Sequence, residues 1–301
     1  MVAHQQSLTA AQIEQFHRDG YLLVPGLIDP ELLARAQRGI TNDHPSPEQY
    51  FDNPDEFPRY NQSQFAGIKR FPYSDFSLNY LAISDNMINA VKALMGTDDI
   101  RMVKGEFWAK YSGAIDYDQM FHRDFGNHTL VVPRTDHRYK EVTTFIFLHD
   151  VTPDCGPTAV LRRQLTDDIS FGKNRLPKNM SFDPEIEEVL ATGPAGTAMF
   201  YSYDVFHRGT QIKSENTARY MVLTDYRRAD APWIDRHAWP EHGNNEYMRE
   251  FIEKITPAQR CLFNIPLPGH EYWNEQTVTD MGVRYENMDM TPYREALAIT
   301  G

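Results

Sequence analysis

Cysteine is nearly absent. Only Cys155 and Cys261 occur in 301 residues, too few for a disulfide framework and in keeping with a reducing cytoplasm. Each reads as a small buried apolar residue. Positive charge is scarce as well: 30 Lys and Arg against 42 Asp and Glu leave a net charge of -12, which excludes a general affinity for the phosphate backbone of nucleic acids. No apolar run approaches the roughly 20 residues that cross a bilayer. The start Met1-Val2-Ala3-His4-Gln5-Gln6 lacks the basic-then-apolar pattern of a secretory leader. Internal repeats and low-complexity tracts are missing, as is any G-x-G-x-x-G phosphate loop. What is there is an ordinary globular composition, 41% hydrophobic and 24% charged, able to bury a sizeable core. The chain is therefore expected in the cytoplasm, with no nucleic-acid and no membrane partner. Nothing in it fixes an oligomeric state.

Local patterns divide the chain at about residue 100. Thr9 to Gly20 reads as an amphipathic helix, capped by Thr9 and stopped by Gly20, followed by a short strand Tyr21 to Val24. Asp29-Pro30-Glu31 opens a second helix through Arg38, and Ser84 or Asp85 opens another, Met87 to Met95, ending at Gly96. Four prolines between His44 and Pro58 predict a long loop. Beyond Gly96, β-type segments dominate: Arg101 to Ala109, Thr143 to Leu148, Thr158 to Leu161, Thr197 to Tyr203 and Arg219 to Tyr226. Turn signals such as Asp154-Cys155-Gly156-Pro157 separate them. Many short strands without strong intervening helices predict a mainly β protein of sandwich or jelly-roll type. After Asp230, Glu246 to Ile255 and Pro257 to Phe263 read as helices, and the last forty residues as loops covering the β core.

The chemistry-bearing stretch is Met120-Phe121-His122-Arg123-Asp124-Phe125. On an extended backbone, residues i and i+2 share a face, so an imidazole and a carboxylate two apart point the same way. A further imidazole would complete two His and one carboxylate around a divalent metal, with the opposite face open. Eleven histidines predict about one His-x-Asp by chance, and the chain has two. The other, His17-Arg18-Asp19, falls in the first predicted helix, where i and i+2 diverge around the axis. His-Arg-Asp followed by Phe-Gly also spells two kinase motifs run together, a coincidence without the phosphate loop and strand Lys that such enzymes need. His207 stands out as third ligand because it follows the apolar strand Thr197 to Tyr203, and Arg219 follows twelve residues later. If these strands form a hairpin, His207 and Arg219 approach each other across one sheet. An inward guanidinium needs an anion, which a dicarboxylate cosubstrate held at the metal would supply.

The stretch from Thr9 to Leu27, with Gln12-Ile13-Glu14-Gln15-Phe16 and Asp19-Gly20-Tyr21-Leu22-Leu23-Val24-Pro25-Gly26, resembles the opening of the phytanoyl-CoA dioxygenase family of Fe(II)- and 2-oxoglutarate-dependent oxygenases. Phe121-His122-Arg123-Asp124 resembles that family's first metal motif, and Val205-Phe206-His207-Arg208-Gly209 with Arg219 its second motif and cosubstrate arginine. The resemblance runs in order over residues 9 to 226. It implies a double-stranded β-helix (jelly roll, cupin-like) core over 101–228, with N-terminal helical support over 1–100 and a covering helix and loop segment over 229–301, all one oxygenase domain. It implies His122, Asp124 and His207 as catalytic ligands of Fe(II), and Arg219 on the distal carboxylate of 2-oxoglutarate. Lys110 and Thr158 stand where the family places residues that reach the cosubstrate, although a solvated strand Lys and plain strand propensity account for them equally. Related halogenases replace the carboxylate, so Asp124 disfavours halogenation. The implied reaction consumes O2, releases succinate and CO2, and oxidises a small-molecule substrate, with hydroxylation of an unactivated C–H bond the first reading and desaturation, epoxidation and ring chemistry also open.

Where many members have Pro-Gly-Ser-His, this chain has Leu161-Arg162-Arg163-Gln164, two added cations that either greet an anionic substrate or form a solvated rim, the reading preferred. Phe65, Phe71, Phe107 and Trp233 are candidate pocket walls, with ordinary core as the competing reading. Two other classes stay open: a catalytically silent jelly-roll protein binding a small molecule or metal, and a zinc hydrolase built on the same triad. Turnover of 2-oxoglutarate separates them.

Overall fold

The computed structural model describes residues 7–300. Among the described residues nine strands form two sheets: β1 (Tyr21–Val24), β2 (Ile68–Arg70), β3 (Ile100–Tyr111), β4 (Val142–Phe147), β5 (Thr158–Val160), β6 (Val189–Leu190), β7 (Ala198–Ser202), β8 (His207–Gly209) and β9 (Ala218–Arg228). The large sheet runs β1-β7-β4-β9-β3-β2 and the small one β6-β5-β8. Every pairing is antiparallel. The sheets face each other without closing, as a double-stranded β-helix of the jelly-roll type.

Side-chain alternation explains why the large sheet has two apolar faces. Phe200, Ile146, Tyr220 and Val222 belong to an outer core shared with Phe16, Val91 and Leu94 of the helices. Met199, Tyr201, Phe145, Phe147, Met221 and Leu223, one position along in each strand, belong to an inner cluster with Val160 and Val205. The helices are α1 (Ala10–Asp19), α2 (Pro30–Gly39), α3 (Pro47–Asp52), α4 (Phe76–Leu81), α5 (Asp85–Met95), α6 (Phe125–His128), α7 (Pro184–Glu187), α8 (Glu246–Lys254), α9 (Pro257–Cys261), α10 (Glu275–Arg284) and α11 (Thr291–Thr300). The predicted caps are in place. Thr9 and Gln12 form a capping box on α1, and Gly20 ends it at φ 81°, a conformation costly for any residue with a Cβ. A Cβ there would also lie 2.3 Å from Val205 Cγ2.

Several expectations need correction. The His44–Pro58 stretch is not an open loop, because Pro47, Pro54 and Pro58 each begin a short helical turn, where the missing N–H is harmless. The last forty residues carry α10 and α11, and their Trp273, Tyr285 and Tyr293 join the outer core. Residues 1–100 are more than support, since both edge strands of the large sheet, β1 and β2, come from them. Cys155 and Cys261 are half-buried, not core residues. No hairpin joins His207 to Arg219: β8 pairs with β5 in the small sheet, whereas β9 pairs with β3 and β4 in the large one.

Candidate metal and cosubstrate site

His122 is brought to His207 by the backbone. The two residues exchange both ladder hydrogen bonds, His122 N to His207 O at 2.9 Å and His207 N to His122 O at 3.0 Å. This bridge aligns their rings, with centroids 4.5 Å apart. Asp124 has already turned helical, at φ -71° and ψ -26° ahead of α6, so the extended reading holds at His122 only. Arg123 between them points away: its Nε donates to Asp204 O at 2.8 Å, and its guanidinium lies 4.1 Å from the Phe206 ring. His122 Nε2 is 3.6 Å from Asp124 Oδ1, and His207 Nε2 is 3.5 Å from Asp124 Oδ2. The three donor atoms lie within 4.8 Å of one another, the spacing of ligands around one ion.

The protons are also arranged. His122 Nδ1 faces Met120 O at 2.9 Å and His207 Nδ1 faces Val205 O at 3.3 Å. A carbonyl only accepts, so Nδ1 donates in both rings and each Nε2 keeps its lone pair for a metal. Burial, then the neighbouring His207, push His122 down to about 4, so it is neutral at ordinary pH. Burial alone would raise the Asp124 carboxyl, but His207, His128 and Lys104 override it and hold it well below its ordinary value. Tyr201 donates its hydroxyl to Asp124 Oδ2 at 2.9 Å. This tyrosine was not expected, although it stands on the inward alternation of a strand visible in the sequence.

The triad opens into a cavity of about 780 Å³, also lined by Thr158, Arg219, Trp108 and Phe65. Arg219 is 4% exposed, yet its Nη1 has no hydrogen-bond partner. Burial pulls its pKa down to about 10, which leaves it cationic. Lys110 pairs with Arg219 in the β3–β9 register but is not solvated: it is buried against Asp116, with Nζ also 3.3 Å from Thr210 O. Of the candidate walls, Phe65 stacks on Trp108 at 5.7 Å. Phe71 and Phe107 are fully buried core, and Trp233 lines a separate cavity of about 270 Å³. The cationic rim is half wrong. Arg163 is buried, bonds Asp204 through Nε at 2.8 Å and reaches His17 O through Nη1 at 2.6 Å, tying α1 to the turn ahead of β8. The decoy Asp19 is occupied by Arg18 and Gln164.

A jelly roll that gathers two histidines and one carboxylate in a cavity also lined by an arginine with one unpaired nitrogen is the scaffold of a non-haem metal oxygenase. The profile of the phytanoyl-CoA dioxygenase (PhyH) family matches residues 16–220, and the chain belongs to that family. Fe(II), 2-oxoglutarate and O2, the cofactors of the class, fit this donor set. No curated protein matches the chain in sequence. Among solved structures it is similar to the nogalamycin carbocyclase SnoK (13% identity, TM-score 0.54, covering 77% of this chain and 90% of that one). EctD from S. alaskensis, solved with 2-oxoglutarate and 5-hydroxyectoine, matches at 17% identity and TM-score 0.53 over 76% and 79%. The epimerase SnoN, solved with Fe3+, alpha ketoglutarate and nogalamycin RO, matches at 19% and 0.52 over 73% and 83%. At these identities the likeness is one of fold. Among the described residues no helix is long and apolar enough to cross a membrane.

Proposed function

We propose that the whole chain, 1–301, works as one cytoplasmic Fe(II)- and 2-oxoglutarate-dependent dioxygenase that hydroxylates a C–H bond of a small metabolite. His122, Asp124 and His207 hold the metal, and Arg219 takes the distal carboxylate of 2-oxoglutarate. With these groups bound, the site couples oxidative decarboxylation of 2-oxoglutarate by O2, releasing succinate and CO2, to oxidation of the substrate. The observation that carries this reading is the orphaned Nη1 of Arg219. A buried cation with an unmet donor is costly, and a carboxylate meets that need.

The protein's own part is positional. The two Nδ1–H···O=C bonds fix the ring orientation, and the Tyr201 hydroxyl fixes Asp124, so the ligands are preorganised before the metal arrives. Lys110, its ammonium already paired with Asp116, stands opposite Arg219 in the β3–β9 register. Thr158 lines the same cavity, its backbone carbonyl held by Ala191 N at 2.8 Å. The related folds that carry out epimerisation and carbocyclisation use the same architecture. The intact carboxylate at Asp124 speaks against halogenation, and hydroxylation is the simplest outcome this site supports. Iron-dependent release of succinate from 2-oxoglutarate tests the reading: it is expected in the wild type and lost in His122→Ala and His207→Ala. Turnover surviving both substitutions would remove these residues from the ligand set.

A further inference from the structure

Beyond the triad and Arg219, the cavity holds a second group of polar side chains with unmet needs. Glu106, on the inner face of β3, is 5% exposed, and among the described residues no side chain donates to its carboxylate. Arg236 Nη1 stands 3.9 Å away and His237 Nε2 3.7 Å away, both beyond hydrogen-bond reach. Arg236 turns Nη1 toward His128 Nε2 at 3.1 Å, and its other guanidinium nitrogens carry no bond among the described residues. Gln64 is 3% exposed, and neither its amide nitrogen nor its amide oxygen is paired. Glu106, Arg236 and Gln64 line the same cavity as the metal ligands. Buried polar groups are normally satisfied, and each orphan costs about 1–3 kcal/mol. Gln64, unpaired at both amide atoms, and the buried Glu106, which lacks a donor, face one space and mark a missing ligand, with the exposed Arg236 at its rim.

The neighbouring charges narrow its chemistry. Lys104 is already neutralised, with Nζ 2.9 Å from Asp225 Oδ2, which also accepts from Tyr203 at 2.7 Å. A divalent metal and Arg219 would be balanced by Asp124 and a dicarboxylate cosubstrate. The remaining charges of the lining are two anions, Glu106 and Asp118, and two cations, Arg236 and Arg175, so the ligand that leaves the cavity neutral is itself neutral overall. Glu106 and Arg236 are neighbours at 3.9 Å, and a ligand that meets both carries both signs. Because the two protein charges are adjacent, those of the ligand are adjacent too. A simple amine would leave Arg236 facing its ammonium, and a simple acid would meet Glu106.

We propose that Glu106, Arg236 and Gln64 form the substrate anchor, and that it takes a small zwitterion of the α-amino acid type. The ammonium sits on Glu106, the carboxylate on the free edge of Arg236, and a further polar group on Gln64. This rests on the oxygenase reading above.

The test uses the full chain loaded with redox-silent Mn(II). Calorimetric titration with 2-oxoglutarate comes first, then with each of the twenty proteinogenic L-amino acids, and for every binder with its decarboxylated amine and its 2-hydroxy acid. At least one amino acid is expected to bind, both truncated analogues at least tenfold more weakly. Glu106→Gln and Arg236→Gln are each expected to weaken the amino acid at least tenfold while leaving the 2-oxoglutarate titration unchanged. Because Arg236 is partly exposed, its variant folds even if Glu106→Gln does not. Binding of 2-oxoglutarate with no amino acid following, or a binder indifferent to Arg236→Gln, overturns the anchor alone. Failure of 2-oxoglutarate to bind overturns the oxygenase reading and the anchor with it.

Discussion

Replacing Arg219 by alanine removes a guanidinium that is buried, cationic and short of one partner at Nη1. In the complex, that group would give the distal carboxylate of 2-oxoglutarate two charge-assisted hydrogen bonds. Such bonds contribute about 1.5–3 kcal/mol each, and alanine leaves the carboxylate facing Lys110, which Asp116 already occupies. A loss of about 3–4 kcal/mol follows, roughly 10²- to 10³-fold in Kd. Stability moves little, because the packing lost against Trp108, 5.9 Å from the guanidinium, is offset by removal of an unsatisfied buried donor. The net change in the apo protein is within about 1 kcal/mol, or roughly 2–4 °C in Tm. Calorimetry with Mn(II) and 2-oxoglutarate, with metal content read separately, distinguishes the outcomes. A shift in 2-oxoglutarate Kd below about fivefold, near 1 kcal/mol, would refute the role of Arg219 as cosubstrate anchor. Parallel loss of Mn(II) would make it a support of the metal site instead.

Tyr201→Phe deletes only the hydroxyl that steadies Asp124, and metal affinity by equilibrium dialysis should drop roughly 10–100-fold with Tm unchanged. Gly20→Ala meets both the αL penalty and the Val205 contact; a loss of about 2–4 kcal/mol in chemical denaturation is expected. Acid should destabilise the fold through His44, which burial pushes down to about 3. With an unfolded value near 6.5, the unfolded chain binds the extra proton, so stability is complete above about pH 6.5 and falls toward pH 3. At pH 5 the His44 share is about 2 kcal/mol, and in His44→Phe the fall of Tm between pH 7 and 5 should be correspondingly smaller.

The helix caps were legible because they are local: Thr9, Asp29, Gly20 and Gly96 act within a few residues. The candidate triad was legible because two imidazoles and a carboxylate are specific residue types, and the alternation separating His122 from Arg123 survives in the structure. Pairing was not. β8 is three residues long, and nothing local says that the chain crosses from the small sheet to the large one between Gly209 and Ala218, so the hairpin expected for His207 and Arg219 failed while their shared cavity held. The prolines of 44–58 were read as breakers because Pro at a helix start and Pro in a loop look alike without the cap. Lys104 and Glu106 were in plain view, two apart on a predicted strand, but charges on a strand ordinarily mark its wet face. Here both faces of β3 are buried, one against Phe71 and the helices, the other around the cavity.

That charged face gives β3 the properties of a measuring stick. Lys104, Glu106, Trp108 and Lys110 occupy alternate positions, about 6.6 Å per step, so a single strand sets about 13 Å between Glu106 of the proposed substrate anchor and Lys110 at the proposed cosubstrate end. A substrate longer or shorter by a few atoms is accommodated by moving the carboxylate two positions along the strand, with no change of fold. Moving it by one position would turn the carboxylate to the face on which Phe107 packs into the apolar core. Changes of substrate length in such a scaffold should therefore come in steps of two residues on β3, leaving the metal ligands where they are.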